Sequence, residues 1–233
     1  MRRSLLLVMM AAVGSVAHAA APLDKVALRK AGASYYRCIA ESKPVEATAF
    51  VLDRTTARTI YKTMGRAVDP ACMKGDAYRY VETLRGNVDL IRYGVANALV
   101  RQSYPTTYPA TMASAPALVH TKRPFDEAGF MSSARFRNLG PRALTEARQE
   151  KAVFDFMEVF GDCVVRRNPA AAHKFLLTDV ASPDERAALG GLRPSLATCL
   201  PADRKATLDL DMIRGAVADN FIRLAEASRG ASR

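Results

Sequence analysis

The chain has 233 residues, 49% hydrophobic, 7% aromatic and 24% charged, with 34 Lys and Arg against 23 Asp and Glu. That length suffices for one or two packed domains, and the composition excludes a disordered chain, a collagen-like chain and a polytopic membrane protein. Four cysteines are too few for a disulfide-dense miniprotein, and nothing in the composition names a reaction or a ligand.

The first element in the chain is an export signal. Met1-Arg2-Arg3 precedes an apolar run, Leu5 to Val13, that is too short to span a bilayer, and Ala17-His18-Ala19 fits the small-residue pattern that signal peptidase accepts. A signal peptide over 1–19, cut after Ala19, is therefore expected; a membrane anchor would need about 20 apolar residues. No later stretch is apolar enough to span a membrane, so a mature chain without a transmembrane segment is expected in the periplasm or outside the cell. There, paired thiols become structural bridges rather than catalytic groups.

Beyond the signal, the two halves of the chain repeat each other. Cys38 is followed by Pro44, Ala47, Phe50 and Leu52, and Cys163 by Pro169, Ala172, Phe175 and Leu177 at the same offsets. A second cysteine, Cys72 or Cys199, follows about 35 residues on in each half. Then Asp89, Ile91, Arg92, Val95, Ala96 and Arg101 match Asp211, Ile213, Arg214, Val217, Ala218 and Arg223. An ordered set of this size implies an internal duplication. Four cysteines allow three pairings; descent of each half from one ancestral unit selects Cys38–Cys72 and Cys163–Cys199. A four-thiolate zinc site lacks any C-x-x-C spacing, so neither metal nor cofactor is expected.

Each unit reads as helical. Leu28, Tyr35 and Ile39 form a weak apolar stripe that should stop before Pro44, and Thr55 or Thr56 is placed to start the next helix. In the last helix of the first half, with Val88 at 0° and about 100° per residue, Ile91, Val95 and Leu99 share one face. From 103 to 141 the composition shifts: Pro105, Pro109, Pro116, Pro124 and Pro141 interrupt a Ser-, Thr- and Ala-rich segment, read as an extended connector. Val153, Phe156, Met157, Phe160 and Val164 then give a strong stripe ending before Pro169. Ser182-Pro183-Asp184-Glu185 is a helix start in which Glu185 can reach back to the cap amide, and Gly190-Gly191 should end that helix near Leu189. Leu210, Ile213, Val217 and Phe221 close the series, and period-two alternation is absent. The expected fold is all-α: unit 1 over 20–102, connector 103–141, unit 2 over 142–228 and a tail 229–233. The two disulfide-braced units would pack as an intramolecular pseudo-dimer.

Arg92 and Arg214 are the residues of most interest. Arg92 falls near 40° on the wheel, on the flank of the apolar stripe, whereas Arg101 falls near 220° and should be exposed. A guanidinium beside a core must find acceptors. Asp89 and Asp211 stand three residues earlier, so each arginine either pairs with that Asp, caps open carbonyls, or forms an anion site where the units meet. His120 and His173 are expected to be surface or packing residues. No G-x-S-x-G, S-x-x-K or phosphate loop is present, and Glu41 with Glu46 or Glu146 with Glu150 read as ordinary helical carboxylates rather than a glycosidase pair.

Lys122, Arg123, Arg135, Arg137 and Arg142 are interleaved with Phe125, Phe130 and Phe136, a pattern that can hold anionic polymers or lipid head groups. Export makes nucleic acid a poor partner. The sequence therefore points to an exported, non-enzymatic binding or structural protein for an anionic envelope component or an acidic protein, with Arg92, Arg214, Lys122, Arg123, Arg135 and Arg137 as candidate ligand contacts. The alternative is an envelope hydrolase or lyase acting on an acidic polymer. A deep, polar, inter-unit pocket with convergent carboxylates would favour that enzyme; a shallow surface with only arginine–aspartate pairs would favour the binding module.

Overall fold

In a computed structural model of the chain, residues 24–53, 57–75, 88–120, 125–201 and 209–231 are described. The segment expected to be a signal peptide (1–19), Thr55, Thr56, Lys122, Arg123 and Pro124 lie outside them. The described residues form helices joined by turns and non-helical segments, without a strand, and are tied by two disulfides.

Local signals set most helix boundaries. Helix α1 (Lys25–Ser42) starts where Asp24 Oδ1 accepts the amides of Val26 and Ala27. It stops at Lys43 (φ −141°), and Pro44 opens α2 (Pro44–Leu52). The same break recurs at Asn168 (φ −151°) between α7 (Pro141–Arg167) and α8 (Pro169–Leu177). In both places proline forces its predecessor out of helical geometry and then occupies the first helical position, where its missing N–H costs nothing. Between these pairs lie α3 (Ala57–Ala67), a short 3-10 turn (Pro70–Cys72), α4 (Val88–Ser103), and two brief helices, α5 (Glu127–Met131) and α6 (Ala134–Leu139). The connector is thus partly helical, not extended throughout.

The second half ends with α9 (Pro183–Cys199) and α10 (Leu210–Ala231). Ser182 caps α9 as expected, its Oγ accepting the Glu185 amide at 3.1 Å. The Glu185 carboxylate, however, accepts from Ala181 N, one residue before the cap. Nor does α9 end at Gly190-Gly191; it runs through them and through Pro194 to Cys199. Two helical glycines cost about 1 kcal/mol each. Burial of Leu192, completely enclosed, and Ala188 offsets this, and the far end is held by Cys199.

Helices α4 and α10 form the centre and pack on each other, with α1 and α2 on the outer side of α4 and α7 and α8 on that of α10. The central contact requires glycine: a Cβ on Gly215 would lie 2.4 Å from the ring of Tyr93. Cys38–Cys72 fastens α1 to the 3-10 turn, and Cys163–Cys199 fastens α7 to the end of α9, with Cα separations of 5.6 and 5.9 Å. The connector lies against the second half. Tyr104 and Tyr108 pack their rings on Phe221, Met112 is completely buried, and residues 115–120 run without helix along α7 and α10. Among the described residues, no helix is long and apolar enough to cross a membrane.

Candidate functional site

Arg92 on α4 and Arg214 on α10 occupy matching sequence positions but sit in different surroundings. Arg92 is fully enclosed. It donates to Asp89 Oδ1 at 2.5 Å, to Asp219 Oδ1 at 3.2 Å and to Glu158 Oε1 at 3.5 Å. Burial works against its charge, but Asp219, Asp89 and Glu158 outweigh burial and push its pKa above the ordinary value. The expected pair with Asp89 is present, within a cage of three carboxylates.

For Arg214 the expected pair with Asp211 does not form. Its five N–H groups go elsewhere: Nε to Asn97 Oδ1 (3.2 Å), Nη1 to Glu185 Oε1 (3.0 Å) and Thr178 Oγ1 (3.2 Å), and Nη2 to the carbonyls of Leu176 (2.9 Å) and Thr178 (2.6 Å). It therefore caps the open carbonyls at the C-terminal end of α8. Asp211 is taken instead by Arg29 of α1 at 2.6 Å, and Arg29 also reaches Glu185 at 2.9 Å. Burial, with Arg101 and Arg29 nearby, pulls Arg214 down to about 10 despite Glu185. For Arg92 the surrounding carboxylates outweigh burial, and for Arg214 burial outweighs Glu185.

Arg101, expected to be exposed, is half-buried and joins this cluster. It donates to the Leu177 and Thr178 carbonyls at 2.9 and 2.8 Å and to Asp179 at 2.9 Å. Helical-wheel angles measured against one stripe miss it, because a second surface, the end of α8, covers the opposite face of α4.

A cleft of about 210 Å³ opens beside Arg29, Arg214 and Asp211, walled by Leu28, Tyr36 and Leu90. Its cause is legible in the sequence. Gly32, Ala33 and Gly215 border it, and their matching positions in the other half are Met157, Glu158 and Tyr93, all buried; Glu158 and Tyr93 touch Arg92, and Tyr93 also lines the cleft through its ring on Gly215. At these three positions small side chains border the cleft where the other half holds large ones, while Tyr36 of the cleft wall matches Gly161. Arg29, which lines the cleft, uses Nε and Nη2; its Nη1 has no partner among the described residues.

A groove of about 280 Å³ continues from this cleft between α1 and α4, bordered by Arg37, Glu41, Arg101 and Asp179. The positions that match Arg37, Glu41 and Arg101 are Asp162, Arg166 and Arg223, and there the connector lies in place. Arg166 donates to the carbonyls of Ala115 (2.6 Å) and Pro116 (2.7 Å), Arg223 to that of Val119 (2.7 Å), and His120 Nε2 meets Asp162 at 3.0 Å.

The remaining candidates do not converge on this site. Arg135 is matched on the surface by Glu150 at 2.9 Å and Glu146 at 3.7 Å, and Arg137 bonds the Ser132 carbonyl. Phe125, Phe130 and Phe136 pack on one another rather than lining the cleft. His173 is buried, stacked on Phe221 with Nε2 at 2.6 Å from the Tyr104 carbonyl. Among the described residues no group of three or more His, Cys, Asp or Glu could hold a metal ion. Sequence reasoning missed Arg29, Asn97 and Glu185. A signal existed for Arg29: it interrupts the apolar stripe of α1 where the matching position holds Phe154. No protein-family model, curated protein or solved structure matches the chain.

Proposed function

We propose that this is an exported, non-enzymatic binding module, built from two copies of a disulfide-braced helical unit that face each other as an intramolecular pseudo-dimer. It would hold an anionic group of an envelope component or acidic protein in the cleft beside Arg29 and Arg214. The observation that carries the reading is the asymmetry of the paired arginines: Arg92 is caged with no space around it, while Arg214 forms the floor of an open cleft. Arg214 has spent its donors on the protein, so it supplies field and rigidity; Arg29, through its Nη1, supplies the hydrogen bonds to the anion.

The pseudo-dimer is supported by reciprocity. Arg92 donates from Nε to Asp219 and Arg214 donates from Nε to Asn97, and positions 97 and 219 match each other in the repeat. An isologous interface pairs residues in this crossed manner. The basic and apolar N-terminal sequence and the two cystines support export. Asp211, which lines the cleft, and the buried Glu185 are both ion-paired to arginines.

Immobilised mature protein probed at low salt with acidic peptides, anionic vesicles and an acidic glycan tests this directly. At least one probe should bind, weaken with rising salt, and be lost in Arg29→Met while Arg142→Met, at an exposed site, behaves as wild type. Equal binding by Arg29→Met and wild type, or no binding to any anionic probe, would refute it.

A further inference from the structure

We propose that the groove between α1 and α4 receives an extended peptide segment of a partner protein, carrying an acidic side chain that meets Arg37. This deepens the binding reading and rests on the matching of the two halves. The chain already contains a worked example. On the second half, residues 115–120 lie without helix across α7 and α10, held by backbone carbonyls rather than by large side chains: Arg166 takes those of Ala115 and Pro116, and Arg223 takes that of Val119. The Leu118 side chain packs against the core and His120 meets Asp162. A surface of that shape favours non-helical backbone, which presents successive carbonyls to a guanidinium fork all along its length, whereas a helix leaves them open only in its last turn.

The first-half groove keeps the frame and changes the chemistry. Arg101 corresponds to Arg223 and, after its bonds to α8 and Asp179, retains Nε for a carbonyl. Glu41 stands where Arg166 stands, so it accepts from peptide amides instead of donating to carbonyls. Arg37 stands where Asp162 stands, so the residue in the place of His120 must be acidic rather than basic. Both Arg37 and Glu41 are exposed. The small side chains of Ala33, Ala40 and Ala98 leave the floor open, where the matching positions hold Glu158, Val165 and Asn220. The adjoining cleft then lies along the path of the bound segment, within reach of a neighbouring side chain.

The probe is a pair of fluorescent hexapeptides in which every residue facing Glu41 carries a free amide, Ala-Ala-Ala-Leu-Val-Asp and Ala-Ala-Ala-Leu-Val-Lys, titrated into mature protein. The aspartate peptide should bind at least tenfold more tightly, and the variant Arg37→Asp should invert that preference. Equal affinity for both peptides, or a preference that Arg37→Asp leaves unchanged, would overturn the proposal. So would failure of both peptides to bind. If anionic probes still bind through Arg29 in that case, the cleft reading survives and the peptide reading alone falls; if Arg29→Met changes nothing either, both fall.

Discussion

Two arginines at matching positions of two similar helices have been put to different use, and the side chains around them explain how. On the Arg92 side three matching positions hold Met157, Glu158 and Tyr93, which are bulky and bring one carboxylate onto Arg92; on the Arg214 side they hold Gly32, Ala33 and Gly215, which are small and uncharged. One guanidinium is therefore neutralised by three carboxylates in a closed interior, and the other is pinned by carbonyls at the edge of a cleft. Under the proposed duplication, the two sides differ in bulk at these three positions, and that difference separates a closed interior from an open cleft.

The largest effect should come from breaking the closed side. Arg92→Met would leave Asp219, Asp89 and Glu158 buried around a neutral side chain, and removal of one partner from a buried ionic cluster costs about 3–5 kcal/mol. Urea unfolding should show that loss. Arg214→Met should cost less, about 1–3 kcal/mol, because Glu185 keeps Arg29 and only neutral acceptors are orphaned. Equal losses would mean that the two surroundings differ in appearance only. Next in size are the cystines. Replacing either pair by alanines opens a loop of about 35 residues and should cost about 2–4 kcal/mol, similarly in the two halves. A marked difference would show that one unit depends on its staple more than the other.

The sequence made the helical class, both cystines and the proline breaks readable because each rests on a local rule: an apolar period, a repeat offset, a restricted residue before proline. It misled where a distant surface decided the outcome. Arg101 was placed in solvent by the wheel of its own helix, yet the end of α8 covers it. Asp211 stood one turn from Arg214, yet Arg29, far away in the chain, claims it. The glycine pair in α9 looked like a terminus, and burial of Leu192 overrode it. Tertiary competition for an acceptor leaves no periodic trace. The cleft is the exception, since the small residues that create it appear once the halves are aligned and their volumes compared.

Ala33→Glu would sharpen the comparison by giving the open side the carboxylate that Arg92 has in Glu158. The side chain would enter the cleft beside Arg29 and Arg214. Stability should change by no more than about 1–2 kcal/mol, since new pairing offsets desolvation, while anion binding should fall below detection in the probe assay. Binding that survives Ala33→Glu would separate the ligand from this cleft.

The smallest effect concerns the connector that covers the second-half groove. Asp162 is half-buried, which alone would raise its pKa, but the hydrogen bonds from His120 and Arg166 hold it below the usual carboxylate value. Its folded pKa is thus lower than its unfolded one, so its contribution is fully present above the unfolded value and is lost as pH falls through the folded value. Residues 115–120 should loosen on acidification below about pH 4, ahead of the central helices, and the near-ultraviolet dichroism of the neighbouring Tyr104 and Tyr108 should report it. Asp162→Asn removes the titrating group and the charge that His120 and Arg166 meet. That variant should show a looser connector already at neutral pH and little further change in acid; an unchanged acid transition would assign the loosening to other carboxylates and leave the connector held by Arg166 and Arg223 alone.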